Sequence, residues 1–453
     1  MESSKIGLWI KAIRGNLIPL ILTPLILFSL FTVLHAGEVK ETILPNGLKV
    51  LTLSDNRIPI VTFQVWYKVG SRNEPSGKTG MSHLLEHMMF KGTDKIKPTE
   101  FSKIIQRNGG RDNAFTTKDY TAYYQILASD RLHISLDLEA DRMVNLRLEP
   151  KEVASEKDVV AEERRMRYED DPQNTAYEEL LSVAYKTHPY RNPVIGWMSD
   201  IKSITREDLY NYYKTYYAPN NATIVVAGDF DTQSLLRNIE KHFGSLRPAN
   251  IPPQEAPAEP QQKGERRIKI KKEAELPYLI AGYHVPTLKD KDGYALEVLS
   301  TILSSGKSSR IYRNLVYEKQ IALYAGGDYS GLSKDSTLFY LYAAATIGKD
   351  IQMVEDSLYN EIERFKKEYV SDKELEKAKN QIEASFLMSQ DSIFFQAELL
   401  GMAESLGDWR YIEKYLPGIR AVTKEDIQMV AKKYLNEDNR TVAILVPVRR
   451  TEN

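Results

Sequence analysis

No cysteine occurs among the 453 residues. Disulfides, thiolate nucleophiles and cysteine-based metal sites are therefore excluded, and any bound metal must be held by His, Asp or Glu. Histidine is scarce, with seven residues, and the last is His284. Charge of either sign is not in excess: 61 Lys plus Arg against 62 Asp plus Glu leave a formal −1. The basic residues are spread along the chain, so there is no footprint for nucleic acid. What is present is a body that is 42% hydrophobic and 27% charged, too long for one ordinary core and suited to two or more domains.

The first 36 residues differ from the rest. Lys5, Lys11 and Arg14 precede an apolar run from Leu17 to Leu34, then His35-Ala36-Gly37. This is the pattern of a secretory signal peptide cut after Ala36. The run is also long enough to serve as an uncleaved membrane anchor, although Pro19 and Pro24 interrupt it. Removal takes away three basic residues and one acidic, leaving a charge of −3. The working protein is expected outside the cytoplasm, in a bacterial periplasm, touching the membrane only through this segment if it is retained. Without cysteine it has no lipoprotein anchor.

Pro248, Pro252, Pro253, Pro257 and Pro260 mark residues 246–267 as a linker between halves at 38–245 and 268–453. The halves repeat each other. Ile201-Lys-Ser-Ile-Thr-Arg-Glu-Asp-Leu209 is echoed 218 residues later by Ile419-Arg-Ala-Val-Thr-Lys-Glu-Asp-Ile427, and the offset holds through Tyr216/Tyr434, Asn221/Asn439 and Thr223/Thr441. Each copy reads as a helix capped by Thr205 or Thr423, then a buried strand. Strands at 61–69 and 278–285, each followed by a helix, extend the correspondence. An α+β domain occurring twice is the simplest fold class.

His83-Leu84-Leu85-Glu86-His87 places two imidazoles four residues apart on one face of a short apolar helix, where they can chelate one cation. Glu86, on the same side, suits a general base acting on a metal-activated water. Two histidines leave a zinc site one protein ligand short if a position stays open. The acidic helix from Glu152 to Glu169 offers Glu156, Glu162 and Glu163, of which Glu156 and Glu163 share a face two turns apart. Spacing alone does not choose among them. The second half has no histidine pair.

These segments resemble the M16 peptidases, the pitrilysin and mitochondrial-processing-peptidase group of inverted zincins. The resemblance rests on Gly80-Met-Ser-His83 through Gly92-Thr93, Gly109-Gly110-Arg-Asp-Asn113-Ala114-Phe115-Thr116, Glu156 through Glu163, His188-Pro-Tyr190, and Tyr217-Ala-Pro-Asn-Asn221 with Gly228-Asp229. It implies two homologous α/β-roll domains of the LuxS and mitochondrial-processing-peptidase type, with mixed sheets packed by helices. It further implies one Zn2+ held by His83, His87 and Glu163, Glu86 as base and Glu156 behind the ligands. The strand from Asn113 to Thr116 would pair with an extended substrate, through Asn113, Ala114 and Phe115. Family members often carry an Arg and, seven residues later, a Tyr that reach substrate from the second half. Tyr324 matches that Tyr, but Tyr317 stands where the Arg would be, and neither Arg310 nor Arg313 has the spacing.

The activity so implied is zinc-dependent endopeptidase cleavage of peptides or unfolded polypeptides. The family builds its chamber from four such domains, so a homodimer is expected, or a heterodimer with a related chain that lacks the metal motif. Two other readings stand beside it: a non-catalytic binding or assembly subunit of the same fold, and a zinc hydrolase acting on non-peptide bonds.

Overall fold

The computed structural model describes residues 37–253 and 255–448. The leader read at 1–36 lies outside them. Strands β1 (Lys40–Ile43), β2 (Lys49–Ser54), β3 (Ile60–Tyr67), β4 (Arg111–Thr116), β5 (Thr121–Ala128) and β6 (Ala222–Gly228) form one sheet in the order β1-β2-β6-β3-β5-β4, parallel only between β2 and β6. A second sheet, β7 (Arg266–Glu273), β8 (Tyr278–Val285), β9 (Ala322–Tyr329), β10 (Thr337–Ala345) and β11 (Arg440–Val448), runs β7-β11-β8-β10-β9 and is parallel only between β7 and β11. Apart from β1 the two plans coincide, and β4 corresponds to β9.

Helices α1 (Met81–Met88), α2 (Glu100–Arg107), α3 (Leu132–Val144), α4 (Pro150–Arg164), α5 (Pro172–Ala184), α6 (Met198–Ser203), α7 (Arg206–Tyr216) and α8 (Thr232–Phe243) belong to the first half. The second contributes α9 (Lys291–Ser304), α10 (Ile351–Lys367), α11 (Asp372–Ser389), α12 (Ile393–Leu406), α13 (Tyr411–Ala421) and α14 (Lys424–Tyr434). The repeat seen in sequence is physical. Thr205 and Asp208 close a capping box on α7, and Thr423 and Asp426 close the same box on α14. The Asn221 amide donates to the Tyr216 carbonyl and that of Asn439 to the Tyr434 carbonyl, tying each following strand back to its helix.

Each sheet is covered on both faces, which is why β6 is buried along its whole length. One face of the first sheet carries α1, α7 and α8 through Leu84, Leu209 and Phe243. Its other face is covered from the second half. Ile393, Ala397 and Leu400 of α12 pack on Leu51, Trp66 and Val225. Burying each large aliphatic side chain there contributes roughly 1.5–3 kcal/mol. Gly401 permits the contact, since a Cβ at that position would lie 2.2 Å from the Trp66 ring. Reciprocally, Ala176 and Leu180 of α5 cover Tyr278, Ile280, Ala443 and Leu445 on the second sheet. The two halves thus exchange one helix each. Buried Glu404 of α12 strengthens the exchange by ion pairs of 2.8 Å to both Lys49 and Lys68.

The linker read at 246–267 requires two corrections. Its last residues, Arg266 and Arg267, already pair in β7 with Thr441 and Val442, because alternation in Arg-Arg-Ile-Lys-Ile-Lys turns Ile268 and Ile270 onto the packed face. The stretch before β7 is also pinned. The Glu259 carboxylate accepts from the backbone N–H groups of Lys186, Thr187 and His188, and Gln262 donates to the Arg440 carbonyl. The acidic helix likewise ends as an α-helix at Arg164, and Arg165–Glu169 continue as a π-type turn.

Candidate metal centre

Helix α1 begins at Gly80, whose φ of 92° is left-handed and whose Cβ, if present, would lie 2.5 Å from the Ile195 carbonyl oxygen. Only glycine satisfies both conditions. From there Met81, Leu84, Leu85 and Met88 recur at helical spacing and sink into the core. That leaves His83, Glu86 and His87 half-buried on the opposite face. Helix α4 lies against α1, anchored by Val153, Val160 and Ala161, and presents Glu156 and Glu163 to the histidines.

Nε2 of His83 and of His87 lie 3.8 and 3.6 Å from Glu163 Oε2, and the donor atoms of all three lie within 4.8 Å of one another. Donors about 2.1 Å from a zinc ion at tetrahedral angles would be about 3.4 Å apart, so the three fit that ion and leave a fourth direction open. Glu156 Oε1 sits 3.0 Å from His87 Nδ1, and its Oε2 pairs with Lys91 at 2.5 Å. This bond assigns the proton of His87 to Nδ1 and turns the Nε2 lone pair toward the centre. Glu163 Oε1 is held by Arg167 Nε at 3.1 Å, leaving Oε2 as the free ligand atom.

Burial, with like charge from His87 and Arg167, pushes the His83 imidazole down to about 3, so it stays neutral. Burial opposes charge on His87 as well, but the Glu156 hydrogen bond and surrounding carboxylates outweigh it and raise its pKa. Glu86 is raised chiefly by burial. Its Oε2 accepts a 2.5 Å hydrogen bond from Thr116 Oγ1, which aims the carboxylate along the cleft. Glu156 is shifted down: burial works against this, and the bonds from His87 and Lys91 prevail.

Thr116 ends β4, an edge strand whose outer side no strand occupies among the described residues. Strand alternation separates its side chains. Ala114 packs toward the α1 core, whereas Phe115 lies edge-on to Trp66 on the opposite face, with ring centroids 5.5 Å apart. Asn113 is exposed. Of the three strand residues read from sequence, Phe115 therefore offers the cleft its backbone, while its ring is a packing group. The cleft, about 540 Å³, is walled by α1, β4, Glu163, Arg167 and Tyr168.

Tyr324 does not line this cleft. It sits on β9 between Tyr278 and Tyr342 and faces a neighbouring one with Asp171 and Gln173. Tyr317 is 70% exposed, Arg310 is engaged by Glu374, and Arg313 pairs with Glu318. Glu162, solvent-facing, pairs with Arg165. Two roles were missed in the sequence, that of Thr116 as the donor to Glu86, although it was read as part of the edge strand, and that of Arg167. Strand alternation from Ala114 would have found Thr116, and the acid-to-base spacing of four from Glu163 would have found Arg167.

The family model described as Insulinase (Peptidase family M16) matches residues 49–197, and that described as Peptidase M16 inactive domain matches residues 203–382. Zinc protease PqqE of Helicobacter pylori is 33% identical over 94% of this chain and 98% of its own length. The uncharacterized zinc protease YmxG of Bacillus subtilis is 29% identical over 88% of this chain and 96% of its own. The crystal structure of a protease from Helicobacter pylori superposes with a TM-score of 0.87 at 33% identity, covering 91% of this chain and all of that one. With both halves matched, and relatives aligned nearly end to end across the His83, His87 and Glu163 cluster, the chain belongs to the M16 peptidase family.

Proposed function

We propose that this chain is a zinc-dependent endopeptidase acting on peptides and unfolded polypeptides. The observation that carries the reading is the convergence of three metal-spaced donors, a hydrogen-bonded carboxylate and an open strand edge in one cleft. His83, His87 and Glu163 would hold the ion, which supplies a lowered water pKa and polarisation of the scissile carbonyl. Glu86 takes the proton of the attacking water and returns it to the leaving amine. Thr116 keeps the carboxylate facing that exchange. An extended substrate would add to β4 through backbone hydrogen bonds, and the open edge of that strand supports sequence-tolerant capture of unstructured chain. Ala114, small and on the α1 side, leaves room in the cleft beside the three donors.

The chain is further proposed to act in the periplasm and to work as a dimer, with itself or with a related chain lacking the metal motif. Tyr324 outside the cleft and Tyr317 in place of the family Arg support a second chain supplying those contacts. The test is cleavage of an unstructured peptide by purified protein of measured zinc content, with and without chelator, beside Glu86→Gln. Bound zinc with chelator-sensitive cleavage lost in the variant is expected. Bound zinc without cleavage, in monomer and dimer fractions alike, would exclude a peptidase that works by itself and point to a required partner chain or a non-catalytic subunit.

A further inference from the structure

The segment after β3, Gly70–Glu74, is not among the residues that carry chemistry, yet it touches both the start of helix α1 and the turn that ends β4. The Glu74 side chain, 8% exposed, accepts 2.7 Å hydrogen bonds from the backbone N–H of Gly80 on Oε2 and of Ser82 on Oε1. These are donors at the start of α1, which the helix itself cannot satisfy. The Tyr212 hydroxyl bridges Ser82 Oγ, at 2.8 Å, to the Gly70 carbonyl, at 3.3 Å. The backbone N–H groups of Ser71 and Arg72 bond the Thr117 and Lys118 carbonyls in the turn that ends β4. Five residues thus set both the metal helix and the substrate edge.

Arg72 connects this segment to the other half. Its guanidinium, 3% exposed, lies 2.5 Å from Asp335 Oδ2 and 3.8 Å from Asp119 Oδ1. Asp335 belongs to the β9–β10 connection of the second half, and its Oδ2 also meets His188 Nε2 at 3.0 Å. The Tyr190 hydroxyl donates to Asp119 and receives the Asp335 backbone N–H, and the Lys334 backbone N–H bonds Asp119. The connection is gripped from three sides, and a buried guanidinium deprived of its nearest carboxylate is strongly destabilised.

We propose that Arg72 and Glu74 are positioning residues through which Asp335 of the second half sets the placement of helix α1 and strand β4. The duplicated half then has a task beyond closing a chamber: its β9–β10 connection holds the metal helix in register with the substrate edge. The catalytic consequence rests on the peptidase reading above; the structural coupling does not.

The test uses the full chain with Asp335→Asn, Asp335→Glu and, as a second perturbation, Arg72→Lys. Amide hydrogen exchange is followed in the metal-free protein, cobalt(II) absorption is recorded on titration, and kcat and KM are measured on an unstructured peptide. For Asp335→Asn, exchange at Gly80, Ser82 and the 111–117 strand rises about tenfold, as local opening becomes easier. The cobalt spectrum shifts, and kcat falls about tenfold or more, because small misplacements of reacting groups are costly. Asp335→Glu restores most of each change. If exchange in Asp335→Asn and Arg72→Lys changes only at 330–336 and 186–191, with helix α1 and the cobalt spectrum untouched, the proposal is overturned. If wild-type protein cleaves nothing, the peptidase reading fails, and the exchange and cobalt results still decide the coupling.

Discussion

Removing the Glu156 carboxylate tests the metal centre at the point where its geometry is most specific. Glu156 touches no ion position; it bonds His87 Nδ1 at 3.0 Å and Lys91 at 2.5 Å. In Glu156→Ala, His87 loses the acceptor that fixes its tautomer and ring orientation, while its Nε2 remains available. Loss of such a partner lowers metal affinity about 10- to 100-fold, or roughly 1.4–2.7 kcal/mol. Glu156→Gln keeps an acceptor oxygen without the charge and falls between, at about three- to tenfold. Lys91, partly exposed, turns to solvent, so little of the loss comes from a stranded charge. Zinc affinity is measured by competition with a chromophoric chelator, with unfolding of the metal-free proteins as control. Affinity of Glu156→Ala within twofold of wild type would refute the assignment of His87 as a ligand braced through Nδ1.

Thr116→Val removes the hydroxyl that aims Glu86 while keeping shape. It should retain zinc and lower kcat about tenfold, the scale of one misaligned proton-transfer group; unchanged kcat in steady-state assays would deny Thr116 that role. Gly401→Ala drives a methyl into the Trp66 ring and should cost about 1–3 kcal/mol of stability by overpacking, read as an earlier denaturant midpoint. Glu297, raised to about 7 chiefly by burial, is neutral when folded and ionised when unfolded between its ordinary 4.5 and 7. Stability therefore falls as pH rises through that window and stays reduced above it. Glu297→Gln should be more stable than wild type at pH 8 by on the order of 2 kcal/mol and equal to it at pH 4, in chemical denaturation at both values. Glu374, bonded by Arg310 and pulled down to about 2, behaves in the opposite sense. Its stabilisation is complete above pH 4.5 and disappears toward 2, so Glu374→Gln should narrow its deficit against wild type as pH falls.

Much of the fold and site was legible because its determinants are local. The four-residue spacing of His83 and His87 places both on one face of any helix, and Met81, Leu84, Leu85 and Met88 decide which face is buried. The echo of Ile201–Leu209 in Ile419–Ile427 exposed the duplication, and it is legible because helix capping by Thr205/Asp208 and Thr423/Asp426 requires particular residues three apart. The absence of cysteine alone restricted the donors to His, Asp and Glu. Tertiary structure decided the rest. Which carboxylate of α4 meets the histidines depends on how two helices some 70 residues apart pack. That is a sum of many weak apolar contacts around Val153 and Val160, and no local pattern encodes it. The exchange of α5 and α12 between sheets, the turning of the Phe115 ring onto Trp66, the placement of Tyr324 outside the cleft, and the grip of Asp335 on Arg72 are likewise contacts between distant segments. Their partners are chosen only when the chain closes on itself, and neighbours in sequence carry no trace of them.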